Sequence, residues 1–141
     1  MESHNHICRG HFDARFTLKG ATATYAPDRT FDTEHVRIEI GVDMGREKIT
    51  GRCKTTVRAI AEGAREMVFD AVNFDVKEVR WNGRRVKHVY AAGKLSVTAS
   101  SALPAGKRAD IEVVYEVTRP KLGFHFIKPD SRYPGRPTQV W

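Results

Sequence analysis

Four side chains near the start of the chain carry the chemistry most readily named. His4, His6, Cys8 and His11 lie within eight residues, and imidazole nitrogens with a thiolate are the ligand types that Zn²⁺ takes in tetrahedral sites. Their spacing matches no standard zinc module. In a strand, His4, His6 and Cys8 would face one side, but an arm of mixed polarity offers no second layer of partners to orient them. A solvated arm is the better reading, and no residue is assigned as a metal ligand.

A second cluster, Arg80-Trp81-Asn82-Gly83-Arg84-Arg85 with Lys87 and His88, is basic and carries one aromatic ring. Such a tip could track a phosphate backbone and stack a base. Trp81, however, shares its strand phase with Val79 and is expected to plug the core, which leaves the arginines as a solvated turn, and nucleic acid is not expected as a partner. Catalytic motifs are missing. The sequence has no Gly-x-Ser-x-Gly elbow, no phosphate-binding Gly-x4-Gly-Lys loop, no Gly-x-Gly-x-x-Gly and no His-Glu-x-x-His. His35, His88 and His125 stand alone, so no catalytic, cofactor-binding or metal residue is assigned.

The elements that would position such groups read as strands. Val36, Ile38, Ile40 and Val42 alternate with Arg37 and Glu39, the pattern of a half-buried strand. Cys53, Val57 and Ala59 share one phase against Lys54, Thr56 and Arg58, with Thr55 the single exception on the inner face. Asp43-Met44-Gly45-Arg46-Glu47 between them has hairpin character. Phe74 and Val76 keep one phase and Val79 and Trp81 the other, which predicts a bulge around Lys77-Glu78. Asn82-Gly83 signals a tight hairpin, because both central residues of a type I′ turn need positive φ. Ala92-Gly93 and Pro104-Ala105-Gly106 bracket the alternation Leu95, Val97, Ala99. Ile111, Val113, Tyr115 and Val117 form a further strand. The expected fold is all-β and antiparallel.

The flanks differ from this core. Residues 1–30 read as an arm across the sheet, anchored by Phe12, Phe16, Leu18 and Tyr25. Residues 31–118 read as the antiparallel core. Residues 119–141 hold four of the six prolines, at 120, 129, 134 and 137, which argues against regular structure there. Trp141 is a residue type normally buried.

Composition bounds the rest. The 141 residues suit one domain, and 40% apolar content is enough for a core. Two cysteines are too few for a disulfide framework and fit a reducing compartment. The longest apolar run, Val89–Ala92, falls far short of the ~20 residues of a membrane-spanning helix. The start lacks a secretory signal, so a cytoplasmic location without membrane contact is expected. The net charge of +7 raises the question of anionic partners without answering it.

From Tyr25 to Trp141, about four-fifths of the chain, the order of these features resembles the N-terminal domain of M1-family zinc aminopeptidases, the group of aminopeptidase N and leukotriene A4 hydrolase. Thr33-Glu34-His35-Val36-Arg37-Ile38-Glu39-Ile40 resembles the family's opening strand and Lys48-Ile49-Thr50-Gly51-Arg52-Cys53-Lys54-Thr55-Thr56-Val57 the strand that follows. Leu122-Gly123-Phe124-His125-Phe126 and Pro137-Thr138-Gln139-Val140-Trp141 are similar to the segment leading toward the active site. The resemblance implies a saddle-like β-sandwich beside a thermolysin-like catalytic domain of the same polypeptide. There, zinc is held by His-Glu-x-x-His and a later Glu, and the peptide's amine is read by Gly-x-Met-Glu-Asn; neither occurs in this chain. Thr138-Gln139-Val140-Trp141 matches only half of the family's Thr/Ser-Gln-x-Glu tract, so Gln139 is not assigned as a substrate contact. On this reading the chain is an excised, inactive domain of a zinc aminopeptidase whose cleft takes peptide substrates. Two other readings belong to different classes: a scaffold domain like that of a TATA-binding-protein-associated factor, and a free-standing β-sandwich interaction module.

Overall fold

The computed structural model describes residues 29–121 and 123–141. Its main elements are strands β1 (Phe31–Asp43), β2 (Lys48–Ala59), β3 (Ala64–Asp70), β4 (Asp75–Trp81), β5 (Arg84–Arg85), β6 (His88–Ala91), β7 (Lys94–Leu103) and β8 (Arg108–Thr118). Two short strands follow, β9 (Phe126–Ile127) and β10 (Gln139–Val140). Every pairing is antiparallel. A five-stranded sheet in the order β1-β2-β8-β4-β5 faces a three-stranded sheet in the order β3-β7-β6, and β9 and β10 pair apart from both.

Local chemistry sets the turns. Asp43 accepts a hydrogen bond from the Arg46 backbone N–H at 3.0 Å and closes the β1–β2 loop. Asn82 and Gly83 adopt φ of 48° and 78°, and Arg80 then pairs with Arg85, as the Asn-Gly signal requires. Ala92 and Gly93 repeat this geometry between β6 and β7. The register of β4 on β8 shifts between Val76 and Glu78, the predicted bulge. A second shift, between Thr33 and His35, keeps Phe31 on the inner face.

The core lies between the two sheets. Val57, Ala59, Val79, Ile111 and Val113 of the larger sheet meet Leu95, Val97 and Ala99 of the smaller. Phe31 packs edge-on against Trp81 with ring centroids 5.7 Å apart, so the tryptophan fills the core as its phase indicated. Thr55 is buried among these apolar groups, with its hydroxyl 3.8 Å from the Cys53 sulfur. Cys53 carries a free thiol.

Several expectations need correction. β1 forms, but it is not half-buried: Val36, Ile38, Ile40 and Val42 are 46%, 56%, 47% and 42% exposed, because the smaller sheet, which packs on this same face of the larger one, does not extend over its edge strand. The proline-rich segment is not without regular structure, since β9 and β10 pair from either side of Pro129, Pro134 and Pro137. Trp141 is 70% exposed. β3, which the reading of the sequence did not include, pairs with β7 along most of its length.

Candidate functional site

The hairpin end of the larger sheet is where the proline-rich segment settles. Lys128 reaches the β1–β2 loop, donating to the Gly45 carbonyl at 3.2 Å and pairing with Glu47 at 2.9 Å. That hydrogen bond from Lys128 holds the Glu47 carboxyl below its ordinary pKa. Arg119 donates its backbone N–H to the Glu47 carbonyl at 2.8 Å, so the start of the segment is tied to the same loop. Farther on, the Asp130 carboxylate accepts the backbone N–H groups of Arg132 and Tyr133 at 2.9 and 2.8 Å. This turn sends the chain back so that Gln139 pairs with Ile127 and Val140 with Phe126. His125 and Trp141 exchange backbone hydrogen bonds of 2.8 and 3.3 Å, and their rings stand 4.7 Å apart.

Between this segment and the sheet lies a cleft of about 170 Å³, lined chiefly by Ile49, Tyr115, Val117, Val72, Phe74 and Phe124. Its floor depends on one glycine. A Cβ at Gly51 would stand 2.1 Å from Cζ of Tyr115, so the phenol ring can lie across β2 only because residue 51 has no side chain. Tyr115 stacks on Phe74 at 4.2 Å with the rings nearly parallel, and burial pushes its phenol above the ordinary pKa, with the nearby Cys53 adding to the rise. Apolar walls of this kind suit packing or a hydrophobic side chain, and no nucleophile and base stand together there.

The residues singled out by chemistry in the sequence are not brought together. His4, His6, Cys8 and His11 lie outside the described residues. Among the described residues no three His, Cys, Asp or Glu side chains converge as a metal site, and no zinc chemistry is assigned to them. Trp81 is in the core, and Arg80 and Arg85 both pair with Glu78, whose carboxyl is held below its ordinary pKa by Arg80 first and Arg85 next. The basic tip thus has its ring buried and part of its charge matched. Gln139 is exposed on β10 with Trp141, not an acid, two residues on. The roles of Gly51, Tyr115, Phe74 and Lys128 were not foreseen.

Together these features define an antiparallel two-sheet β domain whose last segment is tethered along one end, with no catalytic set of its own among the described residues. No family model matches the chain. Solved structures do. The M1 zinc metallopeptidase from Deinococcus radiodurans is 27% identical over 64% of this chain and 21% of that one, with a TM-score of 0.57. A variant of that enzyme has been solved with a Tyr-Ser-Ala substrate. A two-domain M1 zinc metallopeptidase solved with L-tryptophan matches at 27% identity, again over 64% and 21% of the two chains, with a TM-score of 0.58. Native yeast leukotriene A4 hydrolase shares the fold at 16% identity, over 70% of this chain and 16% of that one, with a TM-score of 0.60. The chain therefore resembles the N-terminal β domain of M1 zinc metallopeptidases, and it spans about one-fifth of the length of the metallopeptidase chains it matches.

Proposed function

We propose that the chain serves as the non-catalytic N-terminal domain of a cytoplasmic, M1-type zinc metallo-aminopeptidase, capping and shaping the cleft that receives peptide N-termini. The observation that carries this reading is the 27% identity with an M1 zinc metallopeptidase across 64% of the chain. The partner is the catalytic domain of the same polypeptide, which supplies the zinc and its ligands. The task of this chain is positional. Lys128, Arg119 and the Asp130 turn fix the course of the proline-rich segment, and that segment is what the resemblance leads toward the active site. A wall that excludes water from the cleft strengthens the electrostatic interactions acting on the scissile carbonyl.

The reading frame that encodes this chain provides the test. Beyond the Trp141 codon it should specify Gly-x-Met-Glu-Asn and His-Glu-x-x-His with a later Glu. Degraded versions of both motifs would replace the peptidase with a scaffold like the TATA-binding-protein-associated factor. An immediate stop codon would make the chain a free-standing interaction module.

A further inference from the structure

The aliphatic row along β1 is the part of the fold that the peptidase role leaves unused. Val36, Ile38, Ile40 and Val42 stand opposite Thr55, Cys53, Gly51 and Ile49, on the face that β2 and β8 turn toward the core, yet they remain 42–56% exposed. Among the described residues no strand pairs with the outer edge of β1. From His35 to Asp43 the strand runs in unbroken register and contains no proline. Regular edges with an apolar face are templates for another strand, and proteins usually blunt them with a proline, a bulge or an inward-pointing charge. The bulge of β1 lies before His35, and no inward charge interrupts the row.

We propose that the occupant of this edge is a second copy of the chain, with the two β1 strands pairing antiparallel about a two-fold axis through Ile38. In that register the strand is complementary to itself. Ile38 meets Ile38 of the partner subunit on the axis, while Val36 meets Ile40 of the partner subunit and Arg37 meets Glu39 of the partner subunit, these two pairings each occurring twice as an isologous interface demands. Cross-strand aliphatic and opposite-charge pairs of this kind are what stabilise sheets, and like charges placed opposite one another destabilise them. Moving the axis to Arg37 or to Glu39 sets two arginines or two glutamates face to face. A shift out of phase sets aliphatic side chains against charged ones. Within one chain Arg37 and Glu39 already pair at 2.7 Å, so the axis gathers four alternating charges. One strand pair is a small contact beside the ~1,600 Å² of a standard interface. The dimer is accordingly a reversible one that forms with rising concentration.

This proposal is independent of the peptidase reading, and sedimentation velocity on the 141-residue chain over a wide concentration range tests it. The expected result is a monomer–dimer equilibrium. Arg37→Glu, which places four glutamates around the axis, should weaken it about tenfold, and adding Glu39→Arg in the same chain should restore it. Ile38→Lys should abolish the dimer by putting a charge on the axis. Arg37 and Glu39 are 70% and 52% exposed, so thermal unfolding of these variants should match the parent, and recovery in the double variant cannot come from a misfolded chain. A chain that stays monomeric throughout, or a dimer indifferent to Arg37→Glu, overturns the proposal.

Discussion

An alanine at Gly51 would bring its Cβ to 2.1 Å from Cζ of Tyr115, whereas one at Gly83 would meet nothing within 4 Å but would have to hold φ at 78°. The two glycines are thus required for different reasons, one steric and one conformational. Tyr115 cannot swing aside without leaving its stack on Phe74, so Gly51→Ala should cost about 1–3 kcal/mol, the range for overpacking. Gly83→Ala should cost about 1–2 kcal/mol, the penalty of the left-handed region. Urea unfolding in a Tyr115→Val background separates them: the Gly51→Ala cost should largely vanish and the Gly83→Ala cost should persist. An unchanged Gly51→Ala cost in that background would rule out the ring contact as its cause. The turn at Asn82-Gly83 was legible in the sequence because its signal is local. The need for Gly51 was not, because it arises from a tyrosine on a strand far along the chain. The buried place of Trp81 was legible from phase, since its alternation with Val79 pointed inward.

At the scale of elements, alternation revealed the long strands where their period is unbroken. β8 shows this well: Ile111, Val113 and Tyr115 are buried as their phase predicts. β3 was missed because its register shifts between Ala64 and Glu66, which breaks the period just where the strand begins. β9 and β10 are two residues each, too short for any period to appear. For β1 the phase was right and the burial was not, because a sequence pattern shows which side is apolar without showing what covers it. The opposite face of the larger sheet carries a ladder of ion pairs. Glu116 meets Lys48 at 2.8 Å and Lys77 at 3.2 Å, and Glu34 meets Arg108 at 2.6 Å and Arg58 at 2.9 Å. Asp110 meets Lys54 at 2.8 Å and accepts from the Thr56 hydroxyl at 2.7 Å. All three carboxyls are held below their ordinary pKa, Glu116 chiefly by Lys48, Glu34 chiefly by Arg108 and Asp110 chiefly by Lys54. Groups shifted in this direction stabilise the fold above the unfolded carboxylate range and lose that contribution as pH falls through their folded values. The melting temperature should therefore be level from neutral pH to about pH 5 and decline below about pH 4. Glu116→Gln should make the acid limb shallower. An acid limb unchanged by that substitution would show that the pairs on Glu116 do not carry the effect.

For the molecule as a whole, the excess of 24 Lys and Arg over 17 Asp and Glu first invites thought of nucleic acid. The structure redistributes that charge. The ladder pairs six cations with four acids across the outer face of the larger sheet, counting Arg52 with Glu112, and Glu78 takes Arg80 and Arg85 at the hairpin tip. What remains is a β domain with a tethered proline-rich segment, similar to a domain of M1 zinc metallopeptidases. The proposal built on it is that this chain shapes a cleft whose chemistry lies elsewhere in the same polypeptide. Zinc-dependent hydrolysis of an aminoacyl amide tests that claim most directly, measured side by side on the protein expressed from the whole reading frame and on the 141-residue chain alone. The account predicts turnover by the first and none by the second, with or without added zinc. Metal-dependent turnover by the chain alone, or none by the full product, would contradict it.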